Sequence, residues 1–519
     1  MINVDGKLEK TRNMRRYALT SSDALFGFQK IIQAAWFFPG VISRDALREA
    51  LDDFGTAHPI FRGRVSRAPP PTRGLLSLVG GVSPRPPFSD YHVLVASEEG
   101  RIPLSERDLD GILPHNGSSW SERDLEEDIM HNGGKLSRLP EDVMRGVSPC
   151  MNVSLTRLKH NDRSSGTIIS VTMSHAVADA AGMHMAVAEL ARMYRSHVSV
   201  EADQSQRGRQ SLKLNASRTA ILEAIKTSDP KSSGRNISSS SSLDLSGFRG
   251  KVLWYCIRRL QRSQIPPTSS SRARLSFSRS ELDSLHHRTP RANNAGEALC
   301  GRLLCEVTRG ATGVNAVRLE MPVDMRRVVP AARFLGTGDY TGNAVHVVAA
   351  KGTVRPAIVE ESPSSPSAEE VTNAFVREIQ DLKTRLRNEN ESTCIVADWL
   401  EWSQFLDEGI LVNPRPSKII REDADTLTLV VNSHRRLAGN TTLVPGTELF
   451  GPAAGACVRF LPGQSDAVQL LPGVGDNEGG IDVFLSLPFA LRSQAERSGQ
   501  SLESEEFRER VLWGCRGNG

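Results

Sequence analysis

The sequence predicts a chain of two domains that mixes strands with helices, and three observations carry that expectation. At 519 residues the chain is too long for one compact core. Runs of β-branched residues such as NVSLTRL and TIISVTM are followed by a segment of helical periodicity, and strand and helix patterns resume later in the chain. Between these two regions lies a polar stretch, 199–250, with consecutive serines from 238 to 242, the composition of a linker or crossover.

Residues 25–38 are apolar and aromatic and end at Pro39-Gly40, as a buried strand would. In 44–54 the residues Ala46, Leu47, Ala50, Leu51 and Phe54 share one helical face, and Pro59 closes that element. Residues 67–87, rich in Pro and Gly, read as an irregular loop. SERDL recurs at 105 and 121, and HNG at 115 and 131. Two copies are too few for a solenoid, so this polar segment reads as a loop expansion rather than as a paired histidine site. From Ala180 onward Met183, Val187, Leu190, Ala191 and Tyr194 fall on one helical face. The second domain opens near Arg272 with ARLSFSRSELDSL, a strand and then a helix capped by Ser278 or Ser280. A second Pro- and Ser-rich insertion covers 352–369, helices follow over 369–388 and 395–407, and the final third alternates loops with the strands TLTLVVNS, CVRFL and IDVFLSL.

Bulk properties exclude several classes. A net charge of +4 over this length gives no case for nucleic acid and only slightly favours anionic ligands. No apolar window reaches the length of a membrane span. The basic residues Lys7, Lys10, Arg12, Arg15 and Arg16 are followed by no apolar run, so no signal peptide is expected and the location is expected to be cytoplasmic. The seven cysteines show no disulfide framework; Cys300 and Cys305 share a helix with no second pair to complete a zinc site, and Cys457 reads as a core thiol. The basic and aromatic stretch 251–262 reads as a solvated helix or crossover rather than a membrane-surface helix. Phosphate-binding glycine loops, a Gly-x-Ser-x-Gly elbow and a His-Glu-x-x-His motif are missing from the sequence.

The strongest local signal is SHAVADAAGM at 174–183. His175 follows a buried-looking strand and Asp179 precedes the amphipathic helix, so the histidine stands at a strand end, where a side chain can face a cleft. The spacing alone arises readily by chance among twelve histidines, and a structural histidine would satisfy it equally. The chemistry explains why a base would be wanted there. An alcohol or amine attacks a carbonyl well only if its proton leaves as it attacks, and imidazole is the side chain best matched to that task near neutral pH. A thioester is already activated, so neither a metal nor a covalent enzyme intermediate is needed, and holding both substrates against one base supplies much of the acceleration. Asp179 is poorly placed to relay protons; it reads as a cap of the turn or the partner of a distant cation.

Read with its neighbours, the motif resembles the BAHD acyltransferase family, which shares its fold with chloramphenicol acetyltransferase and peptide-synthetase condensation domains. The similar blocks occur in the family's order: LTSSDALFG at 19–27, LREALDDFGTAHPIFRGRV at 47–65, SHAVADAAGM, RLEMPVDMRR at 318–327, DYTGNA at 339–344 and GGIDVFLSL at 479–487. They span nearly the whole chain. FGPAAGACVRFLPG at 450–463 and LLPG at 470–473 are closer to fungal members, such as trichothecene acetyltransferases, than to plant ones. Two departures stand out: Ala180 where the family has Gly, and ELFGP at 448–452 where the family has Asp-Phe-Gly-Trp-Gly.

The resemblance implies an α/β fold of two chloramphenicol acetyltransferase-like lobes of mixed sheet with flanking helices and a channel between them. The lobes would be 1–202 and 263–519, joined by 203–262. It implies an acyl-CoA-dependent O- or N-acyltransferase with His175 as general base and Asp179 as structural partner of Arg326. Asn343 and Ser433 would line or support the channel. Acyl-CoA is the expected co-substrate, with no permanently bound cofactor and no metal. A small-molecule alcohol or amine, of the kind found in secondary metabolism, is the expected acceptor, and the chain is expected to act as a monomer. The alternatives are an inactive family member that binds a ligand or partner through the same cleft, and a condensation-like enzyme using a carrier-protein thioester. Condensation domains usually show His-His where this chain has Ser174-His175.

Overall fold

The computed structural model describes residues 15–19, 23, 31–38, 40–67, 91–95, 101–110, 143, 145–160, 163–198, 243–244, 272–309, 314–328, 342–356, 366–388, 391–392, 395–396, 399, 410–411, 426–433, 457–460, 467–472, 479–486, 502 and 504–513. The loop 68–87, the second SERDL and HNG copies, most of the Ser-rich stretch, residues 251–262 and the ELFGP segment lie outside them.

In chain order the elements are β1 (Arg15–Ala18), β2 (Ile31–Phe38), α1 (Arg44–Ala57), β3 (Arg64–Arg67), β4 (Tyr91–Val95), β5 (Leu104–Asp110), β6 (Met151–His160), β7 (Arg163–Ser174), α2 (Ala180–Val198) and β8 (Leu243–Asp244). There follow β9 (Arg272–Phe277), α3 (Arg279–His287), α4 (Ala295–Thr308), β10 (Ala316–Asp324), β11 (Val345–Ala349), α5 (Ala368–Arg387), β12 (Ile410–Leu411), β13 (Thr426–Ser433), β14 (Cys457–Phe460), β15 (Ala467–Pro472), β16 (Ile481–Ser486) and α6 (Glu505–Trp513). Single 3₁₀ turns at Pro59–Arg62 and Met325–Arg327 complete the set.

The strands form two mixed sheets. One has the order β14-β2-β7-β6-β5, with only the β5–β6 pair parallel. The other has the order β11-β10-β13-β15-β16-β9, parallel where β13 meets β10 and β15 and antiparallel elsewhere. Strands β1, β4 and β3 make a small antiparallel sheet beside the first, and β8 and β12 form a short pair. No described helix is long and apolar enough to cross a membrane.

Each large sheet has its own core. In the first, Ala34, Trp36 and Phe38 of β2 and Ile169, Val171 and Met173 of β7 alternate onto one face. That face is covered by Leu47, Leu51 and Phe54 of α1 and by Met183, Val187 and Leu190 of α2. These are the helical faces that the apolar spacing marks out. In the second, Phe277, Leu319, Leu429, Val468 and Val483 meet α4 and α5 through Leu299, Leu303, Phe375 and Ile379. The division is not clean along the chain. Strand β14 pairs with β2 in the first sheet, and Leu471 and Phe484 of the second sheet pack into the first core.

Local chemistry sets the element ends. Ser278 rather than Ser280 caps α3, in a reciprocal capping box with Glu281. Ser43 caps α1, and its own N–H donates to the Tyr194 hydroxyl of α2 at 3.0 Å. One expectation needs correction. The first SERDL copy is not part of a loop expansion but forms β5, parallel to β6, with Arg107 Nε donating to Thr156 Oγ1 at 3.0 Å. Edge strands tolerate charged side chains because they discourage pairing with another chain, and that polarity hides the strand from a periodicity reading.

Helices α1 and α2 are also joined by a buried charge. Glu189 of α2 accepts two hydrogen bonds from Arg192, at 2.6 and 2.9 Å, and lies 3.9 Å from His58 at the end of α1. Burial alone would raise the Glu189 carboxyl, but Arg192 and His58 outweigh it and bring its pKa down to about 2. A depressed carboxylate stabilises the fold above its unfolded pKa and loses that contribution as pH falls through the folded value. We therefore expect roughly 3 kcal/mol of stability to be lost between about pH 4.5 and pH 2. Urea unfolding across that window should show a loss smaller by about that amount in Glu189→Gln than in the parent protein, the other paired carboxylates, such as Glu281 and Glu297, contributing to both.

Candidate active site

The last residue of β7, Ser174, turns the chain out of the sheet. Its carbonyl accepts the Val177 N–H at 3.0 Å and its hydroxyl accepts the Ala176 N–H at 3.1 Å. The turn leaves His175 half-buried between a buried strand and a buried helix. Ala180 opens α2 and packs against the first core. A helical backbone needs no glycine there, and alanine is the better helix former, so the departure from the family pattern carries no structural penalty.

Asp179, immediately before α2, has a fully buried side chain. Its Oδ1 accepts the Gly182 N–H at 2.8 Å, capping the helix, and its Oδ2 accepts the Ala344 N–H at 3.0 Å. Both oxygens also accept from Arg326 Nη2, at 2.7 and 2.8 Å. Arg326 stands on the 3₁₀ turn after β10. Its Nη1 donates to Asp324 at 2.7 Å and its Nη2 to the Gly342 carbonyl at 2.8 Å. Burial alone would lower the Arg326 pKa, but Asp179 and Asp324 together outweigh it and push it up, so the guanidinium stays charged. Among the described residues no hydrogen bond joins Asp179 to the His175 ring.

The pair of charges brackets one residue. Arg326 holds the carbonyl of Gly342 and Asp179 holds the N–H of Ala344, so Asn343 is pinned from both sides. Asn343 is buried, and its Oδ1 lies 2.5 Å from His175 Nδ1. Its Nδ2 donates to the His175 carbonyl at 2.5 Å and to Asp23 Oδ1 at 2.9 Å. Both of those partners can only accept, which fixes the amide orientation. Oδ1 therefore faces the ring and requires a hydrogen on Nδ1. The neutral imidazole then carries its lone pair on Nε2, as a general base needs.

Four of the five residues expected at the site thus meet: His175, Asp179, Arg326 and Asn343. Ser433 ends β13 in an exposed position, and no described hydrogen bond ties it to the other four. Two participants were given no role from sequence. Asp324 lies in the PVDMRR block, and Asp23 lies in LTSSDALFG, where an acidic residue among hydroxyls just before an apolar run was the only signal.

Two mixed sheets, each with its own core, that meet where a strand-end histidine faces the second sheet define the chloramphenicol acetyltransferase-like class of fold. The chain belongs to the Transferase family, the BAHD-type acyltransferases, whose family model matches residues 144–491. Among solved structures it is similar to TRI101 of F. graminearum complexed with coenzyme A and deoxynivalenol, at a TM-score of 0.54 and 14% identity over 95% of this chain and 98% of that one. TRI101 of F. sporotrichioides, complexed with coenzyme A and T-2, aligns at 0.52 and 14% over the same shares. The first condensation domain of the CDA synthetase aligns at 0.50 and 12%, over 96% of this chain and 94% of that one. No curated protein matches by sequence, so the likeness rests on the family model and the fold.

Proposed function

We propose that this protein moves an acyl group from acyl-CoA to a hydroxyl or amine of a small-molecule acceptor, with His175 as general base. The observation that carries the reading is the Asn343 Oδ1 contact to His175 Nδ1, which leaves Nε2 as the basic nitrogen. Nε2 takes the proton of the acceptor as its oxygen or nitrogen attacks the thioester carbonyl. The tetrahedral intermediate collapses, the C–S bond breaks, and the imidazolium returns the proton to the departing thiolate. Asp179 and Arg326 hold the geometry and take no proton.

In this reading two lobes, 1–202 and 263–519 joined by 203–262, enclose a channel at whose midpoint His175 stands, with β14 lent back to the first sheet. Ser433 would line that channel away from the base. The coenzyme A in the TRI101 structures supports acyl-CoA as donor, and the fungal character of the closing blocks supports a secondary-metabolite acceptor. The protein would act as a cytoplasmic monomer with no permanently bound cofactor.

The test is thiol release from a panel of acyl-CoA donors, with and without alcohol and amine acceptors, with the acylated product identified by mass. Acceptor-dependent release that His175→Asn abolishes is the expected result. Acyl-CoA binding with no release under any acceptor would show a binding protein instead. Transfer from a carrier-bound pantetheine thioester alone would show a condensation-type enzyme.

A further inference from the structure

We infer that Asp23 is a positioning residue for the reaction: through the Asn343 amide it fixes which nitrogen of His175 acts as base. The inference rests on the reading of His175 as general base and adds a residue that the motif blocks do not assign.

Asp23 is 0% exposed, and one of its oxygens accepts two hydrogen bonds from a single residue, 320 positions away. Oδ1 takes the Asn343 backbone N–H at 3.0 Å and the Asn343 Nδ2–H at 2.9 Å. Gripping backbone and side chain of one residue with one atom fixes the side-chain torsions of Asn343. A neutral amide left to itself could turn over and present its NH₂ group to the ring, which would demand a lone pair on Nδ1 and move the hydrogen to Nε2. That tautomer cannot accept the acceptor's proton. The Asp23 carboxylate and the His175 carbonyl together forbid the turn, because the reversed amide would aim its own oxygen at both.

The second effect is electrostatic. Hydrogen bonds to an ionised acceptor are roughly twice as strong as neutral ones. The carboxylate polarises the amide so that Oδ1 becomes a better acceptor for Nδ1–H, and the imidazolium formed when Nε2 takes a proton is stabilised. The proton stays on the ring throughout; neither Asn343 nor Asp23 receives it. The arrangement does what an aspartate does for the histidine of a serine-protease triad, with an amide inserted between them. The other charges at this junction among the described residues are Asp179, Asp324 and Arg326, which are bound to one another.

The experiment uses the full chain labelled with ¹⁵N-histidine, with the His175 signals assigned by their loss in His175→Asn. In the parent protein the neutral ring should be protonated at Nδ1. In Asp23→Ala, which removes the acceptor, the tautomers should mix; in Asp23→Asn, which keeps an acceptor oxygen but loses the charge, the His175 titration should move to lower pH. The acidic limb of the kcat profile for acyl transfer should move with it, while kcat on the plateau falls about tenfold or more, one pKa unit being a tenfold change. KM for acyl-CoA should stay near the parent value, and Asp23→Glu should recover part of the rate. Should Asp23→Ala not fold, Asn343→Ala severs the same link and should give the same tautomer mixing. An Nε2–H ring in the parent protein, or an Asp23→Ala variant that keeps the parent tautomer together with an Asp23→Asn variant that keeps the parent pH limb, would overturn the inference. The general-base reading fails separately, if His175→Asn still transfers the acyl group.

Discussion

Replacing His175 with asparagine should lower acyl transfer roughly 100- to 10,000-fold, the range that a general base contributes, and leave the melting temperature of the parent protein in place. Asparagine is the informative substitution because its Nδ2 occupies the position of the histidine Nδ1. It can donate to Asn343 Oδ1, so the contact that closes the site survives while the basic nitrogen disappears. Alanine would remove both at once. With alanine the buried Asn343 oxygen loses a partner, a change of about 1–3 kcal/mol, and a loss of rate would be harder to assign. A neighbouring carboxylate offers no substitute base, since Asp179 is committed to Arg326, Gly182 and Ala344. The measurement is single-turnover transfer with a confirmed acceptor, alongside thermal unfolding. Retention of more than about a tenth of the parent rate would place the base elsewhere.

Much of this architecture is legible in sequence for a simple reason: a buried face writes itself into the spacing of apolar residues. Leu47, Leu51 and Phe54 announce α1, and Ile169, Val171 and Met173 announce β7, because each must point the same way into one core. Strand β5 escapes, since SERDL sits at a sheet edge where charged side chains are an advantage. The crossing of β14 into the first sheet escapes for a different reason. CVRF reads correctly as a strand, but strand pairing over more than four hundred residues of chain leaves no local trace. The site divides in the same way. His175 and Asp179 share a turn and a motif, and Arg326 enters through a family resemblance. Asp23 lies within the LTSSDALFG block, but its role is found only in three dimensions, because it depends on which amide the side chain touches.

Breaking the Asp179–Arg326 pair should cost roughly 3–5 kcal/mol, the usual result of leaving one partner of a buried ion pair uncompensated. The side chains are 1% and 8% exposed, so water cannot substitute for the lost partner. The two single changes should not be equal. Asp179→Ala leaves Arg326 facing Asp324, still a neutral pair, although the Gly182 and Ala344 N–H groups lose their acceptor. Arg326→Met leaves two carboxylates, Asp179 and Asp324, with no cation between them, and should be the more damaging. In the double variant the second change relieves the charge stranded by the first, so the combined loss should fall clearly below the sum. Activity should fall with stability, because Gly342 and Ala344 are the handles by which this pair holds Asn343, and Asn343 sets the ring of His175. Thermal and urea unfolding of the two single variants and the double variant decide the matter. Losses that simply add would mean that the two residues do not interact, and Asn343 would then owe its position to Asp23 and the surrounding backbone alone.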